Sequence, residues 1–169
     1  MPMTYADVPR EADERTTLTG FIDWQRATLE KKCEGLSHDQ LRLRSVPPST
    51  LSLIGLVRHM ADVERSWFRV RLNNEKLAPL YSSESDQDGE FDNVESADVE
   101  EAFRSWREEC QHARDIAARL DLDAKGKVLE TGRVMSLRWT LVHMIDEYSR
   151  HNGHADLLRQ RIDGAVGYD

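Results

Sequence analysis

The stretch HMIDEYSRHNGHADLLRQR, beginning at His143, holds three of the protein's six histidines, and one glutamate stands among them. Neutral imidazole and carboxylate are both ligands for zinc and related divalent metals. In a helix each residue turns the chain by about 100°. His143, Glu147, His151 and His154 then fall in one stripe narrower than about a quarter turn. Glu147 and His151, four apart, meet over one point and can share an ion. One helix seldom completes a metal site, so a third ligand has to come from elsewhere. The best candidate is His59 in LSLIGLVRHMADVERSWF, which shares its side of the wheel with Met60, Val63, Trp67 and Val70. Each residue also has a plainer reading. His59 reads as a core histidine satisfied by one hydrogen bond, and the later stripe as a solvated polar face. Spacing alone leaves these readings open against the metal site.

Other chemistry finds less support. There is no HExxH, so a zincin protease is not indicated. Glu109 and His112 form one Glu-x-x-His, whereas di-iron bundles need two such motifs and two further glutamates. Both lie off the apolar seam of their helix and are expected at the surface. No nucleophile elbow or phosphate loop occurs. The two cysteines, Cys33 and Cys110, fall on apolar stripes and read as packing residues rather than nucleophiles. Gly153 costs a helix about 1 kcal/mol relative to alanine. A close approach by a backbone or a ligand would account for it, as would simple drift.

The elements that must position these residues are helices. Leu18, Phe21, Ile22, Gln25, Leu29 and Cys33 follow three-four spacing up to Gly35. Ser37 and Gln40 form a capping box for a short turn. Pro47 and Pro48 break the chain, and Thr50 or Ser52 can cap a helix from 53 to about 73. Residues 78–96 are rich in Ser, Asp and Glu and read as a long loop, of the kind often used as a lid or binding loop. Ser96 can cap a third helix, where Val99, Phe103, Trp106, Cys110, Ala113, Ala117 and Leu120 keep a heptad seam. Residues 121–135 form a connection with a weak strand pair over 126–135. Ser136 can cap the last helix, 137 to about 162, with Gly164 as its stop. Residues 1–14 read as a flexible arm. Four long amphipathic helices imply an all-α four-helix bundle and a single domain. Trp24, Trp67, Trp106 and Trp139 all lie on helices, and not all need be core.

Bulk composition narrows the function. The chain has 169 residues, 39% hydrophobic and 32% charged, as in a globular domain with a wet surface. Its formal net charge of -8 argues against a nucleic-acid partner. No apolar run is long enough for a membrane span, and the polar start lacks a secretory pattern. Cytoplasmic localisation is expected, in keeping with two cysteines that form no CxxC pair.

The segments TLSLIGLVRHMADVERSWF and LRWTLVHMIDEYSRHNGHADLLRQRIDG resemble the DinB-like superfamily of metal-binding four-helix bundles, over nearly the whole chain. The resemblance implies up-down-down-up topology, with the 78–96 loop inside the long crossover. It implies metal ligands at His59, Glu147 and His151, the glutamate standing where histidine is commoner. The glutamate is similar to that of the mycothiol-dependent maleylpyruvate isomerase branch. HNGHADLLRQRIDG is most similar to a subgroup of mycothiol and bacillithiol S-transferases. His154 departs from the glutamine of many relatives.

The implied activity is thiol S-transfer. A low-molecular-weight thiol is the co-substrate, and a metal favours its deprotonation for attack on an electrophile. Zinc is the first choice of metal; nickel, iron and manganese use the same ligands. His154 is then a catalytic candidate, as a base beside the ligands or an orienter of the thiol, against a plain solvent-facing role. A metal-dependent hydrolase, a thiol-dependent isomerase and a non-catalytic, stress-related metal-binding protein remain as alternatives. A homodimer through exposed apolar helix faces is a further expectation.

Overall fold

The computed structural model describes residues 3–128 and 131–167. Two residues of the expected arm (1–2) and two of the expected connection (129–130) lie outside them. The fold is 61% helical, with six α-helices and one small two-stranded sheet among the described residues. The chain divides into two compact units, Met1–Leu53 with Leu141–Asp169, and Ile54–Thr140.

In the first unit, helix α1 spans Glu14–Cys33 and opens on Asp13, whose Oδ1 accepts from the Thr16 amide at 2.9 Å. The short helix α2, His38–Arg42, carries the expected capping box: Ser37 and Gln40 bond each other's backbone amides. The last helix, α6, spans Leu137–Asp163, and its portion from Leu141 onward belongs to this unit. Ser136 Oγ caps it by accepting from the Trp139 amide at 3.1 Å. Gly35 and Gly164 follow α1 and α6 at φ of 76° and 81°, a region where only glycine is at ease.

Polar contacts fix the direction of these helices. Gln25 Nε2 donates to Ser149 Oγ, and Asn152 Nδ2 donates to Gln25. Lys32 pairs with Asp156, and Arg159 donates to the Lys32 and Glu34 carbonyls. Residue numbers rise together along both helices, so α1 and α6 run parallel. Ile22, Leu29, Met144, Tyr148, Ala155 and Leu158 are buried in this unit. Within the stretch expected as a flexible arm, Tyr5–Asp7 forms one 3-10 turn, Val8 is buried, and the Tyr5 ring lies 4.9 Å from Trp24.

In the second unit, helix α3 (Leu53–Glu64) continues as a π-helical segment, Arg65–Leu72. Helix α4 is the single turn Gly89–Asp92, and α5 is the long helix Val99–Arg119. Strands β1 (Lys125–Lys127) and β2 (Val134–Ser136) pair antiparallel, Gly126 opposite Met135. The expected weak strand pair is therefore present. The cap of α5 is not the expected Ser96 but Asp98, whose Oδ1 accepts from the Glu101 amide; Ser96 lies in the preceding turn.

Most of the heptad seam of α5 is core: Val99, Trp106, Cys110, Ala113 and Ala117 are buried, and Phe103 and Leu120 are half-buried. Glu109 is buried as well, contrary to the surface expected for it. Its Oε1 accepts from Arg65 at 2.7 Å and Arg69 at 3.0 Å, so the carboxylate enters the interior already paired. His112 is exposed as expected. Cys110 lies beside Glu64, Glu109 beside Arg65, and Arg119 bonds Asn73. Here too the numbers rise together, so α5 runs parallel to α3 and its π continuation. Parallel neighbours cannot be joined by a tight turn, and a crossover from 73 to 98 makes the return. Of the tryptophans, Trp106 is buried while Trp139 is 47% exposed.

Candidate metal centre

The α6 histidines form a connected row. His143 Nε2 lies 3.4 Å from Glu147 Oε1, and His151 Nε2 lies 3.5 Å from Glu147 Oε2. The His151 Nδ1 faces His154 Nδ1 at 3.4 Å. Two ring nitrogens at that distance need one proton between them. All three steps are i, i+4 or i, i+3, the spacings at which one helix face brings side chains together. Burial, the neighbouring His151 and Arg150 hold the His154 imidazole below its usual pKa, which favours its neutral form. Gly153 is exposed, and a Cβ built on it meets nothing within 4 Å. A close approach to this glycine is not found among the described residues.

His59 lies on α3, and its partners come from the crossover. Its Nδ1 is 3.2 Å from Glu90 Oε1, and its ring stacks on Phe91 at 5.1 Å and 29°. Glu90 and Phe91 both lie on α4. Burial acts to raise the Glu90 carboxyl, but the His59 hydrogen bond and the nearby Arg58 outweigh it and hold the group below the usual carboxylate range. Arg58 also donates to the Glu90 carbonyl at 3.1 Å and lies 4.4 Å over the Tyr81 ring. The Tyr81 hydroxyl donates to Glu101, and Asp62 accepts from the Leu80 and Tyr81 amides. These bonds fasten the crossover against α3 and α5.

A cavity of about 370 Å³ opens beside His59, with Glu90, Asp62 and Ser66 among its polar lining and Trp67, Val63, Val70 and Leu77 among its apolar lining. Trp67, Val70 and Arg71 reach it from the π-helical segment, a distortion that is frequent at functional sites.

His59, Glu147 and His151 are a group of residues that could hold a metal ion. The donor chemistry fits. Two ligands at zinc distances of about 2.1 Å stand about 3.4 Å apart in tetrahedral geometry, close to the 3.5 Å between Glu147 and His151. Each histidine also has its other nitrogen engaged, His59 by Glu90 and His151 by His154, as metal-bound histidines generally do. Cys33 and Cys110 are both buried, and burial pushes the Cys33 thiol up to about 12. Motif and spacing do not single out Glu90 and Phe91. Their one signal in the sequence is Phe91, a large apolar residue in an acidic loop, which needs somewhere to be buried.

No helix among the described residues is long and apolar enough to cross a membrane. A comparison with curated proteins finds no match. A family model described as mycothiol S-transferase matches residues 17–164. That match takes in α3, the crossover and the whole row on α6. The chain belongs to the mycothiol S-transferase family, within the DinB-like superfamily.

Proposed function

We propose that the protein is a metal-dependent S-transferase that joins a mycothiol-type thiol to a small electrophile. The observation that carries this reading is the donor group of His59, Glu147 and His151 in a chain of this family. These three residues would hold a divalent metal, zinc first, with nickel, iron or manganese as substitutes. A divalent metal, when bound, lowers the pKa of a coordinated thiol and so supplies thiolate near neutral pH. The chain's own residues do the rest. Glu147 stands between two imidazoles, and His154 faces the ring nitrogen of His151 that points away from Glu147. Held neutral, His154 can take the proton of His151 Nδ1–H as a hydrogen bond and fix that ring. Trp67, Val63, Val70 and Leu77 give the cavity beside His59 a dry wall for the electrophile. The thiol gives up its proton to solvent, its sulfur forms a bond to the electrophilic carbon, and the bond from that carbon to the leaving group breaks, the group departing with the electron pair.

The parallel runs of α1 with α6 and of α3 with α5 support the up-down-down-up four-helix bundle, which needs both. We read residues 1–169 as one cytoplasmic domain of that type.

The test is to purify the protein without a metal-binding tag and measure its metal content beside His59→Ala and His151→Ala. Near-stoichiometric metal is expected in the parent and in neither variant. The metal-loaded parent should then form thioether from mycothiol and an alkylating electrophile faster than the uncatalysed mixture. Metal without thioether across a broad electrophile panel would overturn the transferase reading. No metal after reconstitution with zinc, nickel, iron and manganese would overturn the site.

A further inference from the structure

We infer that Glu90 is a positioning residue for His59: it fixes the imidazole in the Nδ1–H tautomer and so turns Nε2 toward the metal. The inference rests on the reading of His59 as a ligand. The geometry is direct, since Glu90 Oε1 lies 3.2 Å from His59 Nδ1. A carboxylate accepts and cannot donate, so in the neutral ring Nδ1 carries the hydrogen and the lone pair is left on Nε2. Phe91, the next residue, stacks on the same ring and limits its rotation.

The surroundings of Glu90 are built to put it there. It is 7% exposed, and its Oε2 has no hydrogen-bond partner among the described residues. A carboxylate present only to fasten the crossover would give both oxygens to donors of the crossover. This one is buried at a cost and spends its one bonded oxygen on His59. Arg58 holds the Glu90 carbonyl, and Gly89 lets the backbone pass where a Cβ would run into the Tyr81 carbonyl oxygen.

The experiment uses the full chain in metal-free form. Zinc affinity is measured by competition with a chromophoric chelator. The His59 tautomer is read from the ring-nitrogen shifts of ¹⁵N-histidine-labelled protein. Variants are Glu90→Gln, which keeps the shape, and Tyr81→Phe, which loosens the crossover without touching His59. Glu90→Gln is expected to weaken zinc about 10- to 100-fold and to turn the single His59 tautomer into a mixture. Tyr81→Phe should leave both readouts as in the parent. The inference is overturned if Glu90→Gln leaves affinity and tautomer unchanged, or if Tyr81→Phe reproduces its losses. A parent that binds no zinc sinks the ligand reading instead, and the tautomer of metal-free His59 still decides what Glu90 does.

Discussion

The histidines of α6 and His59 on α3 are held in opposite ways. Along α6, His143, Glu147, His151 and His154 find one another through the pitch of a single helix. The ring of His59 is gripped from far along the chain. Its carboxylate and its stacking partner are Glu90 and Phe91, 31 and 32 residues on, in one helical turn inside a crossover. The first arrangement needs only that a helix form. The second needs a set of tertiary contacts: Arg58 on Glu90, Asp62 on two backbone amides, and Arg65 and Arg69 on Glu109. A donor supported locally survives much damage elsewhere, whereas a donor supported from afar inherits the stability of everything that carries its partner.

Three substitutions put that contrast to work. The largest effect is expected from Glu109→Ala, which strips the buried partner from Arg65 and Arg69 at the start of the π-helical segment. Breaking a buried pair from one side costs about 3 kcal/mol or more, and the two arginines keep some solvent, so about 3 kcal/mol is expected in urea unfolding. A loss under about 1 kcal/mol would mean that the tertiary clamps are ornamental. Gly89→Ala comes next. Its Cβ would run into the Tyr81 carbonyl and come 2.8 Å from Asp86 Oδ2, so α4 has to shift. Overpacking of this kind costs about 1–3 kcal/mol, and zinc affinity should fall with it, because Glu90 moves as well. Stable protein with unchanged zinc affinity would show that His59 does not depend on the crossover. The smallest effect, of opposite sign, is expected from Gly153→Ala. This glycine faces open space within α6, so alanine should raise stability by about 0.5–1 kcal/mol and leave metal content alone. A destabilised Gly153→Ala protein would mean that the α6 row is less self-sufficient than its geometry indicates.

The same contrast sets how much the amino-acid sequence makes legible. The long helices are legible because each buries one face, and some ends carry a recognisable cap, as at Ser37 with Gln40 and at Ser136. The α6 row is legible because helical pitch alone assembles it. His59 can be nominated from its apolar neighbours, but the proposal that joins it to Glu147 and His151 comes from resemblance, since no spacing rule links residues so far apart. Glu90 is invisible for the same reason. The π-helical segment escapes notice because Met60, Val63, Trp67 and Val70 keep a pattern that an ordinary helix would also show. Glu109 is misplaced by its position on the wheel, which cannot register Arg65 and Arg69 arriving from another element.

The buried cysteines have a consequence for durability. An S-transferase of the kind proposed above would be bathed in reagents that alkylate sulfur. Alkylation requires an accessible thiolate. Cys33 is 4% exposed with a thiol pushed up to about 12, and Cys110 is 3% exposed. Buried as they are, neither offers an accessible thiolate, so under the transferase reading proposed above the substrate's sulfur would be the one consumed and the protein's own sulfur spared.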